Sequence, residues 1–174
     1  MAENRLSQIP LGYPQDSVEI RKADRKDIPA ILDLYEHARQ AMAAAGNASQ
    51  WNNGYPGLSE IEADLAKGAL YITSDRQAVM AFLSGEDPTY ARIDGAWRCQ
   101  RPYRTIHRIA SARKGYGKML FRYAKTCTDH IRIDTHPDNK AMRYLLKKEG
   151  FSYDGIIESV NGPRMAFTWT AQER

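Results

Sequence analysis

Cysteine is scarce in this chain. Cys99 and Cys127 are the only two in 174 residues. Two are too few for the disulfide framework of a small secreted domain, so a reducing cytoplasm is the expected compartment. Long apolar runs are also lacking: none approaches the ~20 residues of a membrane span, and none resembles the apolar segment of a signal peptide. A membrane is therefore not among the expected partners. Metal-ligand pairs are missing too. Cys127, His130 and His136 lie near one another, but Cys127 falls on the apolar stripe of a helix and His136 in a loop, so no metal is expected. Charge of one sign is in small excess, with 25 Lys+Arg against 21 Asp+Glu and a net charge of +4. The cations are dispersed and lack the aromatic-plus-basic signature of RNA-binding sheets, so a nucleic-acid partner rests on charge alone. No internal repeat or low-complexity tract appears.

What is present suffices for one domain. A hydrophobic content of 43%, with ten tyrosines and three tryptophans, can bury a core in a chain of this length. Residues 1–17 are polar, carry Pro10 and Pro14, and read as an N-terminal extension; the domain is expected over 18–174. Val18 to Arg21 alternates as a short strand. Asp24 then caps a helix whose apolar positions Ile28, Ile31, Leu32, Tyr35, Ala38 and Met42 follow helical spacing to Gly46. A loop over 47–57 carries Trp51 and Tyr55. A short helix follows from Ser59 to Lys67, with Ser59 and Glu62 spaced as a capping box.

Ala69–Thr73 and Ala78–Gly85 read as an antiparallel hairpin, and Tyr103–Ser111 as a further strand after a loop holding Tyr90 and Trp97. A helix from Gly115 to Thr128, a strand at Ile131–Thr135, a helix opened by Asn139 and stopped by Gly150, and two last strands complete the chain. Strand–helix–strand order makes the two middle strands parallel. The fold class is therefore α/β, as a mixed (α+β) sheet of six or seven strands with helices on both faces, in the order β-α-α-β-β-β-α-β-α-β-β.

The most informative stretch is Thr105-Ile-His-Arg-Ile-Ala-Ser-Ala-Arg-Lys-Gly-Tyr-Gly-Lys118. It is a strand that breaks into a basic, glycine-bearing turn and feeds an amphipathic helix. Gly115 and Gly117 let a ligand approach the backbone. The first helical turn has N–H groups without an intrahelical partner, and Arg113, Lys114 and Lys118 add positive charge. Together these suit a pyrophosphate. A Walker loop is excluded, since the residue five before Gly117 is Ala112 and Lys118 precedes Met119. A dinucleotide fingerprint lacks its third glycine and its place at a first strand.

The element order, this motif and a second one, Ile131-Arg-Ile-Asp-Thr-His-Pro-Asp-Asn-Lys-Ala-Met142 running to Gly150-Phe151, resemble the GNAT superfamily of acyl-CoA-dependent N-acyltransferases from about Val18 to the C-terminus. The first is similar to the family's strand followed by Arg/Gln-x-x-Gly-x-Gly/Ala, and the second to its strand, Asn-headed helix and Gly-Phe. Two departures stand out. Ala112 occupies the place of the usual Arg or Gln, with Arg113 or Lys114 left to supply the donor. Leu146 occupies the place of the tyrosine that many members use as general acid. Tyr144 is two positions, or about 200° of helix, away.

The resemblance implies acetyl transfer from acetyl-CoA to a primary amine by direct attack in a ternary complex. The alternative it leaves open is an inactive CoA-binding module of the same fold. It assigns the cofactor to Ile109, Ala110, Ser111, Arg113, Lys114, Gly115, Tyr116, Gly117, Lys118 and Asn139, with the pantetheine arm paired along the strand edge and an N–H near Ile109 on the thioester carbonyl. Asn139 alternatively serves as a helix cap. For proton transfer the candidates are His107, which by strict alternation shares a face with Ile109, then Glu86 or Asp87, and Tyr144. Trp51, Tyr55, Tyr90 and Trp97 are assigned to the acceptor cleft. The expected partner is a small-molecule or peptide amine, and the expected state a monomer or homodimer.

Overall fold

Eight strands form one mixed sheet in the order β1-β2-β3-β5-β6-β8-β7-β4. The computed structural model describes residues 17–172, so the expected N-terminal extension, apart from Ser17, lies outside the described residues. In chain order the elements are β1 (Ile20–Lys22), α1 (Ile28–Ala44), α2 (Leu58–Ala66), β2 (Leu70–Thr73), β3 (Ala78–Ser84), β4 (Asp94–Gly95), β5 (Arg104–Ser111), α3 (Tyr116–Cys127), β6 (His130–Thr135), α4 (Lys140–Lys148), β7 (Ser152–Ser159) and β8 (Gly162–Thr170). The expected order holds, with one strand added. That strand, β4, has two residues and no periodicity to reveal it; it forms because Gly95 faces Gly155, and a Cβ on either would collide with the opposite backbone.

Asp24 caps as expected, but it caps a short 3₁₀ turn leading into α1: its carboxylate accepts the Lys26 N–H at 2.7 Å, and Asp27 reciprocates by accepting the Asp24 N–H at 3.0 Å. Helix α2 starts one residue before the expected Ser59. This makes Glu60, not Glu62, the residue that reaches back, and it accepts the Gly57 N–H at 2.7 Å.

The sheet has two covered faces. On one, α3 and α4 bring Leu120, Phe121, Ala124 and Leu146 onto Met80, Phe82, Ile106, Ile131 and Ile133. On the other, α1 and α2 bring Ile31, Tyr35 and Ile61 onto Ile72, Val79, Ala81 and Ala110. Each buried Val, Leu, Ile, Met or Phe side chain among them contributes about 1.5–3 kcal/mol. Gly117 sits where an added Cβ would come within 3.1 Å of Leu145 Cδ2 on α4, so a side chain there would oblige the leucine to shift.

Two irregularities in β5 position everything that follows. Against β3 the ladder runs Val79↔Ala110 and then Ala81↔His107, so Arg108 and Ile109 together oppose Met80, and Arg108 has a φ of 47°. This is a β-bulge. It breaks strict alternation: Ile109 packs on the α3/α4 face, while His107 lies opposite Ala81 and shares the α1/α2 face with Arg108 and Ala110. The expected sharing of a face by His107 and Ile109 is thereby corrected. Against β6, β5 pairs in parallel only at Arg104↔Ile131 and Thr105↔Arg132. Beyond Thr105 the two strands splay.

Candidate functional site

The splay opens into a cavity of about 560 Å³. Its walls come from β5 at His107–Ile109, the end of β6 at Ile133–Thr135, the segment after β3 from Glu86 to Thr89, the loop around Gln50, Trp51 and Tyr55, and the turn between β7 and β8.

His107 sits between two carboxylates. Its Nε2 lies 2.7 Å from Asp87 Oδ2, and its Nδ1 lies 3.9 Å from Asp134 Oδ2. Burial pushes the Asp87 carboxyl up, but hydrogen bonds from His107 and Thr89 outweigh it and hold the group at about 2. Ionised Asp87 only accepts, so Nε2 carries the proton, and in a neutral ring the lone pair is on Nδ1. The Tyr90 hydroxyl donates to Asp134 Oδ2 at 2.7 Å. Burial, then the Asp134 carboxylate, raises that phenol well above its ordinary value, so it keeps its proton.

Arg108 is fixed by a forked pair with the buried Asp64 of α2, Nε to Oδ2 at 2.7 Å and Nη2 to Oδ1 at 2.8 Å. Burial lowers its basicity, and the Asp64 hydrogen bonds and charge more than restore it. Its Nη1 donates to the Tyr55 hydroxyl at 3.2 Å, which leaves the phenol proton for another acceptor.

The two strand-to-helix turns at the splay differ. Before α3, Gly115 has a φ of 88° and no side chain caps the helix. Arg113, Lys114 and Lys118 are exposed there, and among the described residues none forms an ion pair within 4.0 Å. Before α4, Asn139 Oδ1 accepts the Met142 N–H at 3.1 Å and its Nδ2 donates to Gln50 Oε1 at 3.0 Å. His136 Nδ1 accepts the Asp138 N–H at 3.1 Å, so its Nε2 donates to Ser49 Oγ at 3.2 Å.

The cavity brings together His107, Ile109, Glu86, Asn139, Trp51 and Tyr55 from among the expected residues. Glu86 is exposed at its mouth. Ala110, Ser111 and the turn to Lys118 lie outside the cavity lining, along the strand edge and α3 start. Tyr116 is buried and donates to Asp75 Oδ2 at 2.7 Å, so its ring belongs to the core beneath the turn. Of the residues expected at the acceptor cleft or in proton transfer, three are not brought to the cavity. Tyr90 and Trp97 pack with Ile157 and Ala166 in a core cluster, with the Trp97 indole N–H donating to the Tyr90 carbonyl at 2.9 Å. Tyr144 is 64% exposed on α4, while Leu146 points into the core. The residues missed are Asp134, Asp64, Arg108 and Arg164. Alternation with the core residues Ile131 and Ile133 would have put Asp134 on the opposite face; the other three carried no local signal.

No family model matches the chain, and no curated protein matches it. Solved structures do. An acetyltransferase of the GNAT family from Streptococcus agalactiae 2603 superposes with a TM-score of 0.82 at 27% identity, over 90% of this chain and 96% of that one. A GNAT-family acetyltransferase from Listeria monocytogenes 4b F2365 follows with a TM-score of 0.66 at 18% identity, over 88% and 95%. AAC(6′)-Ib in complex with ribostamycin and coenzyme A gives 0.61 at 19% identity, over 90% and 95%. The last two likenesses concern the fold alone.

Proposed function

Because the chain belongs to the GNAT superfamily of acyl-CoA-dependent N-acetyltransferases, we propose that it moves an acetyl group from acetyl-CoA to a primary amine by direct attack within a ternary complex. The observation that carries this reading is the opening of one splay onto two features at once: an uncapped helix N-terminus and the Asp87–His107 pair.

The residues suit the donor. Gly115, Gly117 and Lys118 offer first-turn N–H groups to the phosphates, and Arg113, Lys114 and Lys118 neutralise their charge. Backbone from Ile109 to Ser111 faces the widening gap and can pair with the amide-rich arm. Acetyl-CoA, when bound, supplies an acetyl carbonyl activated as a thioester. The bulge takes one of Arg108 and Ile109 out of the β3 ladder, and in this reading the Ile109 N–H stabilises the oxyanion. His107 Nδ1 accepts the proton of the attacking amine, with Asp87 holding the ring and offsetting the charge it gains. Asp87, Asp134 and Glu86 favour a cationic group near the reacting centre. No residue need protonate the departing sulfur, because a thiol of pKa about 8.5 leaves readily as thiolate near neutral pH.

Leu146 in place of the family's tyrosine favours a second reading, a CoA-binding module without turnover. Calorimetry with acetyl-CoA, followed by thiol release over a panel of primary amines, separates the two. Binding with amine-dependent release is expected; binding without release supports the module, and absence of binding overturns both.

A further inference from the structure

Besides Arg21, which pairs with Asp27 at 2.8 Å, three arginines enter the α1/α2 face of the sheet, and two are provided for. Arg108 has the Asp64 carboxylate, and Arg132 lies between aromatic rings, its guanidinium carbon 4.2 Å from the centroid of Trp97 and 4.1 Å from that of Tyr103. Arg164, on β8, has neither. It is 5% exposed, and it lines the cavity. Nη1 donates to the carbonyls of Asn161 at 3.1 Å and Pro163 at 3.0 Å, while Nε and Nη2 bond no described residue. No described carboxylate lies within 4.0 Å of it. A buried guanidinium without a counter-ion is costly unless one arrives with a ligand. Burial lowers its pKa, against the opposing fields of Asp134 and Tyr55, and His136 is a further titratable neighbour.

We propose that Arg164 anchors a carboxylate on the acceptor, so that the amine acetylated belongs to a small amino carboxylate of amino-acid size. The inference rests on the acetyltransferase reading above. Asp134 is opposite Ala166 in the β6–β8 ladder, so Arg164 lies two residues farther along the same face, about 7 Å away along the strand. That separation places an anion subsite beside the cluster of Asp87, His107 and Asp134, where an ammonium is favoured and deprotonated. The phenol proton that Tyr55 keeps free of Arg108 supplies a second donor for the carboxylate. A cavity of about 560 Å³ that also receives the acetyl end of the donor leaves room for a small acceptor.

The test is calorimetry on CoA-saturated protein with the twenty common L-α-amino acids and, for each, its amide. At least one amino acid is expected to bind at least roughly tenfold more tightly than its amide. Arg164→Gln is expected to remove that preference while acetyl-CoA affinity stays unchanged, and Arg164→Lys to retain part of it, as a point charge without the planar fork. The comparison of acid with amide in the unmodified protein stands even where a variant folds poorly. Equal binding of every acid and amide, no binding of any amino acid, or a preference that survives in folded Arg164→Gln overturns the inference. If acetyl-CoA itself fails to bind, the acetyltransferase reading falls with it; if acetyl-CoA binds and the acid preference is absent, this inference alone falls.

Discussion

The turn before α3 and the turn before α4 leave the same sheet beside one another, yet they treat their helix ends in opposite ways. Each helix start has about four N–H groups without an intrahelical partner. At α4 the Asn139 side chain takes one of them, and its other end, together with His136, ties the turn to Gln50 and Ser49 of the cavity loop. At α3 a glycine at φ 88° stands where a capping side chain would, with three exposed cations around it. One end is closed by the protein. The other is left open, and the pair teaches that the anion site proposed above depends on what the chain withholds from that helix N-terminus.

That contrast is sharpened first by His107, which belongs to neither turn. His107→Ala is expected to lower kcat about 10²- to 10⁴-fold with the KM for acetyl-CoA unchanged, because it removes proton transfer and no phosphate contact. Steady-state kinetics check it, and a change confined to KM would remove His107 from the chemistry. Neutralising Arg113 and Lys118 together is expected to do the reverse, raising the acetyl-CoA KM about tenfold at low salt with kcat retained. The deficit should shrink as ionic strength rises; a loss independent of salt would argue against an anion at α3. The smallest effect is expected at the closed end. Asn139→Ala should cost about 1 kcal/mol of stability, or about 2–4 °C in melting temperature, with little change in acetyl-CoA affinity. A marked loss of affinity with unchanged melting would make Asn139 a cofactor contact and dissolve the contrast.

Much of this was legible beforehand. The glycines and cations of the α3 turn, the Asn139 helix start and a histidine suited to proton transfer are all visible along the chain, because capping and backbone freedom act over a few residues. The face on which His107 projects was not. Period-two alternation assigns it beside Ile109, and a bulge at Arg108 reverses that. Tyr90 and Trp97 read as cleft aromatics, whereas each finds its hydrogen-bond partner inside the protein, Asp134 for one and the Tyr90 carbonyl for the other. Arg164 carried no local mark at all, since an arginine without a counter-ion is recognised only when its surroundings are known.

The sequence by itself determined the order of the helices and of every strand but β4, which helix start would hold no capping side chain, and which residue types were on hand for acid–base work. Tertiary structure decided the splay of β5 from β6, the side to which His107 turns, and which charges are answered: Asp64 reaches Arg108 from 44 positions away, and Asp87 reaches His107 from 20. The physical reason is range. Caps and turns are settled by neighbours along the chain, whereas ladder register and charge pairing are settled only when distant segments are packed together and water is excluded between them.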